Sequence, residues 1–425
     1  MPFPLTDPAP TPPRGTRPDV PPHDPSPTRP LPGLRVVDLS LNLAGPYCGQ
    51  ILADMGADVV KVERPGAGDP ARAWAPPAWG GDGTLFLAAN RGKRSVALEL
   101  GTPEAHRVLE RLVDGADVLI QGFRPDVAER FGLTEETLLP KHPRLILLSI
   151  TAFDPEGPNR DRPGYDPLLQ AHTGLMSVTG PPGGPPVRVG TSLVDLGAGM
   201  WAALGVLGAL RARDASGKGA HVRVSLEDAA LAWGAYHLMG VLATGRVPGP
   251  LGSALGMIAP YEAFPASDGQ VMILAGNDAL FRKCCGALGI PEVARDPRFG
   301  TNPDRVRNRE ALREILAEAT GSLARAEVEE RLTEAGVPAS AIRDMGEVAR
   351  DPSILDGALR AEPHPRIRSY RAVAPPIVAG GERSPPGGPP PAVGEHTDEV
   401  LAELGYAPDE VRGLRERGVL GESPK

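Results

Sequence analysis

Between residues 33 and 150 short β-rich runs alternate with helical ones, and this alternation constrains the fold more than any other feature of the chain. "GLRVVDLS" is followed by "AGPYCGQILADMG", whose apolar residues recur at helical spacing before a closing glycine. "ADVVKVERP" and "KRSVALEL" read as strands, and "TPEAHRVLERLVDGA" as a helix opened by Thr102-Pro103. "DVLIQGF", "PDVAERFGL" and "PRLILLSIT" then read as strand, helix and strand. Parallel strands need a crossover between them, so the pattern predicts an α/β fold with a mostly parallel, doubly wound sheet. The first turn, "SLNLAGPYCG", lacks the G-x-G-x-x-G spacing, and no nicotinamide or flavin cofactor is expected.

The remainder of the 425 residues exceeds what one small core can organise. Residues 1–31 are proline-rich and without aliphatic periodicity, so they read as a disordered tail, and they lack the apolar block of a secretory signal. Near Gly336 the composition shifts from charged helix back to short strands and turns. The three cysteines, Cys48, Cys284 and Cys285, have neither disulfide-framework nor zinc-ligand spacing, so buried thiols in a cytoplasmic protein are expected and no metal. A net charge of −8 and 4 % aromatic residues argue against a nucleic-acid partner. The longest apolar run, Leu196 to Leu210, has roughly fifteen residues where a membrane span needs about twenty, so no membrane partner is expected.

That run begins with a lone carboxylate, Asp195, in "SLVDLGAGMWAALGVLGALRAR". Asp195 reads first as an N-cap, a reading compatible with a reactive group that the helix N-terminus keeps ionised beside oxyanion donors. Asp166 in "GYDPLLQ" admits the same cap reading, and Trp201 reads as core. Arg64, Arg91, Lys93, Arg94, Arg124 and Arg130 fall where strands end or helices begin. Ligands of doubly wound sheets bind there, so a phosphorylated ligand is expected. The Gly/Pro segment "GPLGSALG", with Gly249, Gly252 and Gly256, reads as a mobile loop and candidate lid.

Taken in order, "LADMGADVVKVERPGAGDPAR", "NRGKRSVALEL", "DVLIQGFRPDVAERFGL", "PGYDPLLQAHTGLMSVTG", "GTSLVDLGAGMWAALGVLGAL", "GKGAHVRVSLEDAAL" and "GEHTDEVLAELGY" resemble the family III CoA-transferases, from about Leu31 to Tyr406. The resemblance implies a Rossmann-like, CoA-binding large domain over 32–225 and a smaller α/β domain over 226–335. The chain would return to the large domain over 336–425, with its C-terminal segment, and two chains would form an interlocked homodimer. It implies Asp195 as nucleophile and CoA contacts at Leu43, Ala44, Arg64, Leu98, Phe123, Arg124 and Arg130. His396 matches a family motif, but a packing or capping role is expected of it.

The implied reaction moves CoA from an acyl-CoA to a small carboxylic acid, through an aspartyl mixed anhydride and an aspartyl-CoA thioester. It needs no permanently bound cofactor, only the CoA thioester as substrate. The alternatives are α-methylacyl-CoA racemisation and a catalytically silent CoA-thioester-binding protein. Racemases of this group carry a histidine where Tyr165 stands and a glutamate where Pro265 stands, and only Glu262 is left nearby as a base.

Overall fold

In the computed structural model, which describes residues 26–385 and 387–422, the strand–helix alternation is realised as a six-stranded sheet. Its strands are β1 (Arg35–Asp38), β2 (Asp58–Glu63), β3 (Lys93–Ala97), β4 (Val118–Gln121), β5 (Ile146–Thr151) and β6 (Ala220–Ser225). They lie in the order β3-β2-β1-β4-β5-β6, and β3 through β5 pair parallel. The order reverses beside β1, which puts a topological switch point between β1 and β4. Of the proline-rich segment, residues 1–25 lie outside the described residues, while the Leu31 N–H donates to the Met55 carbonyl at 3.0 Å.

The chain divides into two units. One comprises residues up to 151, 198–224 and 360 onward; the other comprises 152–197 and 225–359. The segment expected as a small domain, 226–335, lies in the second unit, which also takes in 152–197 and extends to 359. Residues 152–197 contain helix and turns but no strand of the sheet, so the sheet does not hold them.

In the first unit, strand alternation separates two faces. Val37, Leu39, Val60 and Val62 bury against the helix α1 (Pro103–Asp114) through Val108, Leu109 and Leu112, and against C-terminal residues Val400, Leu401 and Leu414. Asp38 and Lys61 point the other way. There the helix Ala44–Asp54 passes so close that a Cβ on Gly49 would lie 2.9 Å from Asp38 Oδ2. Cys48 on that helix is buried, as are Cys284 and Cys285 elsewhere.

The Asp38 face holds a buried ionic network. Lys93 Nζ lies 2.8 Å from Asp38 Oδ2, Lys61 Nζ 2.8 Å from Asp69 Oδ2, and Arg72 Nε 2.8 Å from Glu63 Oε2. Burial pushes the Lys93 ammonium down to about 8. Burial works against the Asp38 carboxylate as well, but Lys93 and Lys61 hold it below its ordinary value. The network grips the turn after β1: Lys61 Nζ donates to the Ser40 carbonyl at 2.8 Å, and the Asn42 N–H donates to Asp69 Oδ1 at 3.1 Å. Buried charges cost free energy unless paired, so each partner fixes the other.

The second unit has a three-stranded antiparallel sheet, with Gly269–Leu274 between Tyr261–Ala266 and Ala339–Ala341. Phe264, Val271, Ile273, Phe281, Leu312, Leu316, Val328 and Leu332 form its core. The helix α2 (Asp166–His172) also belongs to this unit.

The apolar run becomes the helix α3 (Leu193–Ser216), 24 residues long. Length and composition would let it cross a bilayer, which the apolar run by itself does not reach. Val194, Ala198, Ala202 and Val206 on α3 are nevertheless fully buried in the protein, and Arg213 near its end pairs with Asp117 at 3.1 Å. Trp201, expected in the core, is 50 % exposed, because it falls beside Met200 and Leu204 on the side of α3 that the protein leaves uncovered.

Candidate active site

Asp195 occupies the first turn of α3 but does not cap it. The cap is Asp166, the first residue of α2, whose Oδ2 accepts the N–H groups of Val194 at 2.7 Å and Asp195 at 3.2 Å. Gln170, one turn along α2 and fully buried, steadies Asp166 by donating to its Oδ1 at 2.6 Å. Its Oε1 in turn accepts the Val189 N–H at 2.9 Å. The Leu193 N–H goes to the Thr191 carbonyl and the Leu196 N–H to that of Ser192. The first-turn donors are therefore taken, which corrects two expectations for Asp195, as N-cap and as a carboxylate kept ionised by its own helix.

The Asp195 carboxylate accepts no hydrogen bond from any described residue. Burial, and after it the nearby Asp166 carboxylate, push its pKa up to about 7. Such an anion is poorly solvated and unusually basic for an aspartate, which is the condition of an activated oxygen nucleophile.

The six cations expected at the strand ends sort into two groups. Arg91 pairs with Asp54 at 2.6 Å, Lys93 with Asp38, and Arg94 with Asp58 at 2.6 Å and Glu403 at 2.7 Å. These three serve the fold. Arg64 and Arg124 keep exposed side chains, with single contacts to Glu99 at 3.5 Å and Asp126 at 3.2 Å. Arg130 is exposed with its guanidinium 5.0 Å from the Phe131 ring centroid.

Leu43 and Ala44 form the turn held by the buried network, and both are largely buried. Leu98 is a core residue, 1 % exposed, so its side chain offers no ligand surface. Phe123 is half-buried, edge-on to Phe131. His396 packs on β3, its Nδ1 accepting the Ser95 N–H at 3.3 Å.

The candidate lid is exposed at Gly249, Gly252 and Gly256 but anchored along its second half. The Gly252 N–H donates to the Gly180 carbonyl at 2.8 Å, and Arg309 donates to the carbonyls of Leu255 at 2.8 Å and Ile258 at 2.7 Å. Glu262 is buried and held by Arg309 at 3.2 Å and Arg313 at 3.1 Å, so two guanidiniums occupy the carboxylate a racemase would need as a base. Pro265 lies within a strand, opposite Gln270.

Sequence reasoning missed the cap exchange between Asp166 and α3 and the role of Gln170. The spacing of "GYDPLLQ" puts Asp166 and Gln170 one helical turn apart, which is the signal that could have coupled them.

The family model of CoA-transferase family III matches residues 31–397. The succinate–glutarate CoA-transferase of Agrobacterium fabrum is 39% identical over 385 residues, covering 88% of this chain and 96% of that protein. The acetyl-CoA:oxalate CoA-transferase of Acetobacter aceti is 41% identical over 328 residues, covering 77% of this chain and 84% of that protein. The crystal structure of a CAIB/BAIF family protein from Brucella suis superimposes with a TM-score of 0.80 at 37% identity, covering 89% of this chain and 100% of that one. With a parallel α/β sheet and a match of this extent, the chain belongs to CoA-transferase family III.

Proposed function

We propose that this enzyme moves CoA from an acyl-CoA thioester to a short dicarboxylic acid, with Asp195 as the covalent nucleophile. The observation that carries the reading is the Asp195 carboxylate itself, half-buried, without a hydrogen-bond donor and pushed up to about 7. Relatives named for succinate, glutarate and oxalate support the acceptor class.

An Asp195 oxygen attacks the thioester carbonyl, the C–S bond breaks, and CoA leaves as a thiolate from a mixed anhydride. The thiolate attacks the aspartyl carbonyl, releasing the donor carboxylate and leaving an aspartyl-CoA thioester. The acceptor carboxylate attacks that carbonyl, expels the thiolate and forms a second anhydride. Attack of the thiolate on the acceptor carbonyl then yields the new acyl-CoA and restores Asp195. Each step exchanges one activated acyl group for another, so no ATP is needed, and excluding water protects the intermediates.

Leu43, Ala44, Phe123, Arg64, Arg124 and Arg130 are assigned to CoA. The first four flank or follow the carboxyl ends of strands, and all three arginines are exposed enough to meet phosphates. The loop over Gly249–Gly256 is assigned to covering the site by movement of its unanchored first half.

We assign the protein to the cytoplasm as an interlocked homodimer. The helix Ala235–Thr244 has no buried residue and exposes Tyr236, Leu238, Met239 and Leu242, an apolar face that a second copy would cover. Transfer is favoured over epimerisation by the ion pairs that hold Glu262.

The test is trapping. Incubation with acyl-CoA followed by borohydride or hydroxylamine should modify Asp195, and Asp195→Asn should abolish both the modification and CoA transfer. Parental transfer by Asp195→Asn would end the proposal. Solvent deuterium entering the α-carbon without transfer would favour the racemase.

A further inference from the structure

Three neighbouring strands of the parallel sheet carry polar side chains in a row: Gln121 on β4, Ser149 on β5 and His221 on β6. Gln121 and Ser149 are register partners, only 4% and 6% exposed. Gln121 Nε2 donates to Ser149 Oγ at 2.7 Å, Ser149 Oγ lies 2.8 Å from His221 Nε2, and His221 Nδ1 lies 2.9 Å from Glu135 Oε2. At the other end, Gln121 Oε1 accepts the Phe123 N–H at 2.7 Å.

Each link can be given a donor: an Nδ1–H of His221 faces the Glu135 carboxylate, and Ser149 Oγ accepts from the Gln121 amide whether its hydroxyl donates to Nε2 or accepts from it. That orientation turns the Gln121 carbonyl oxygen towards Phe123.

The carboxylate–imidazole–hydroxyl order matches a hydrolase triad, but the Ser149 oxygen already accepts a hydrogen bond and lies buried in the sheet. Its work is positional. A strand ladder does not need these side chains, and burying them costs free energy unless all are satisfied. What the row secures is the backbone of the turn after β4, at the carboxyl end of the strand that borders the switch point.

We propose that Gln121, Ser149, His221 and Glu135 are positioning residues that set the turn 122–124 for the CoA thioester. The proposal rests on the assignment of Phe123 and Arg124 to CoA. The chemical class recognised is the phosphorylated CoA moiety, so the acceptor acid should be indifferent to the relay.

The experiment uses the full-length enzyme and the variants Gln121→Met, Ser149→Ala, Gln121→Glu and Arg124→Ala. Steady-state kinetics with acyl-CoA and acceptor are read beside amide exchange at Phe123. Gln121→Met should raise KM for acyl-CoA about tenfold, the value of one lost hydrogen bond, with kcat and the acceptor KM within about twofold. Phe123 exchange should accelerate by a similar factor, and Ser149→Ala should show a smaller version of both effects. Gln121→Glu keeps an acceptor for the Phe123 N–H and should restore the parental KM.

Unchanged Phe123 exchange in Gln121→Met overturns the proposal, as does an equal fall in kcat with both substrates. Faster exchange without a KM rise, where Arg124→Ala does raise KM, makes the relay the part that fails. A parental KM in Arg124→Ala places the failure in the CoA assignment instead.

Discussion

The Asp166 carboxylate closes the start of the helix that carries Asp195, accepting the N–H groups of Val194 and of Asp195 itself. It thereby takes the donors that would have stabilised the Asp195 anion and adds a negative charge beside it. Both effects disfavour the anion, and neither disfavours an acylated Asp195, which is neutral. Under the proposed mechanism, the pair would favour the covalent intermediates over the resting carboxylate.

The first consequence is a pH dependence. With its pKa pushed up to about 7, Asp195 is protonated and inert as a nucleophile in acid. The single-turnover rate of acylation should rise tenfold per pH unit below about 7 and level off above it. A flat profile between pH 5 and 8 would contradict the assignment.

Stability should respond with the opposite sign. The folded-state pKa lies above the ordinary value of 3.8, so the folded state binds more protons, and this group's contribution falls as pH rises from about 4 to about 7. Asp195→Asn removes that penalty. It should stabilise the protein by about 1–2 kcal/mol at pH 8, after allowance for partial solvent screening, and by nothing at pH 4. Thermal unfolding at the two pH values checks it.

Asp166→Asn keeps the side-chain shape but removes the charge and one acceptor. The acylation profile should move to lower pH, and less aspartyl-CoA should accumulate for trapping. The amide can accept either the Val194 and Asp195 N–H groups or the Gln170 amide but not both sets, and the lost contact should cost about 1 kcal/mol. An unmoved profile would show that Asp166 does not act on the Asp195 charge.

The cations should separate by assay. Arg64→Ala, Arg124→Ala and Arg130→Ala are expected to raise KM for acyl-CoA while leaving Tm near the parent. Lys93→Met leaves Asp38 buried without its partner and should destabilise by about 3–5 kcal/mol. Denaturant unfolding beside KM measurements distinguishes the groups.

Gly199 gives a steric test. A Cβ there would stand 2.6 Å from the Ala44 carbonyl oxygen and 3.1 Å from Tyr47 Cδ1, so backbone would have to move. Gly199→Ala should destabilise by about 1–3 kcal/mol and lower activity through the displaced Ala44 turn. An alanine variant with parental Tm and rate would show that the close approach is not required.

The sequence by itself determined the parallel α/β sheet, because period-two and helical runs alternate and successive parallel strands must be bridged by crossovers. It also singled out Asp195, a lone charge before an apolar run, and a surplus of cations at strand ends. Only the tertiary structure decided which cations stay exposed, since Arg91, Lys93 and Arg94 meet Asp54, Asp38 and Asp58 across distances in the chain that no local pattern encodes. It likewise exchanged the cap from Asp195 to Asp166, twenty-nine positions earlier, and set Trp201 outward. Local spacing fixes the periodicity of an element, whereas the state of a buried charge depends on whichever groups folding brings against it.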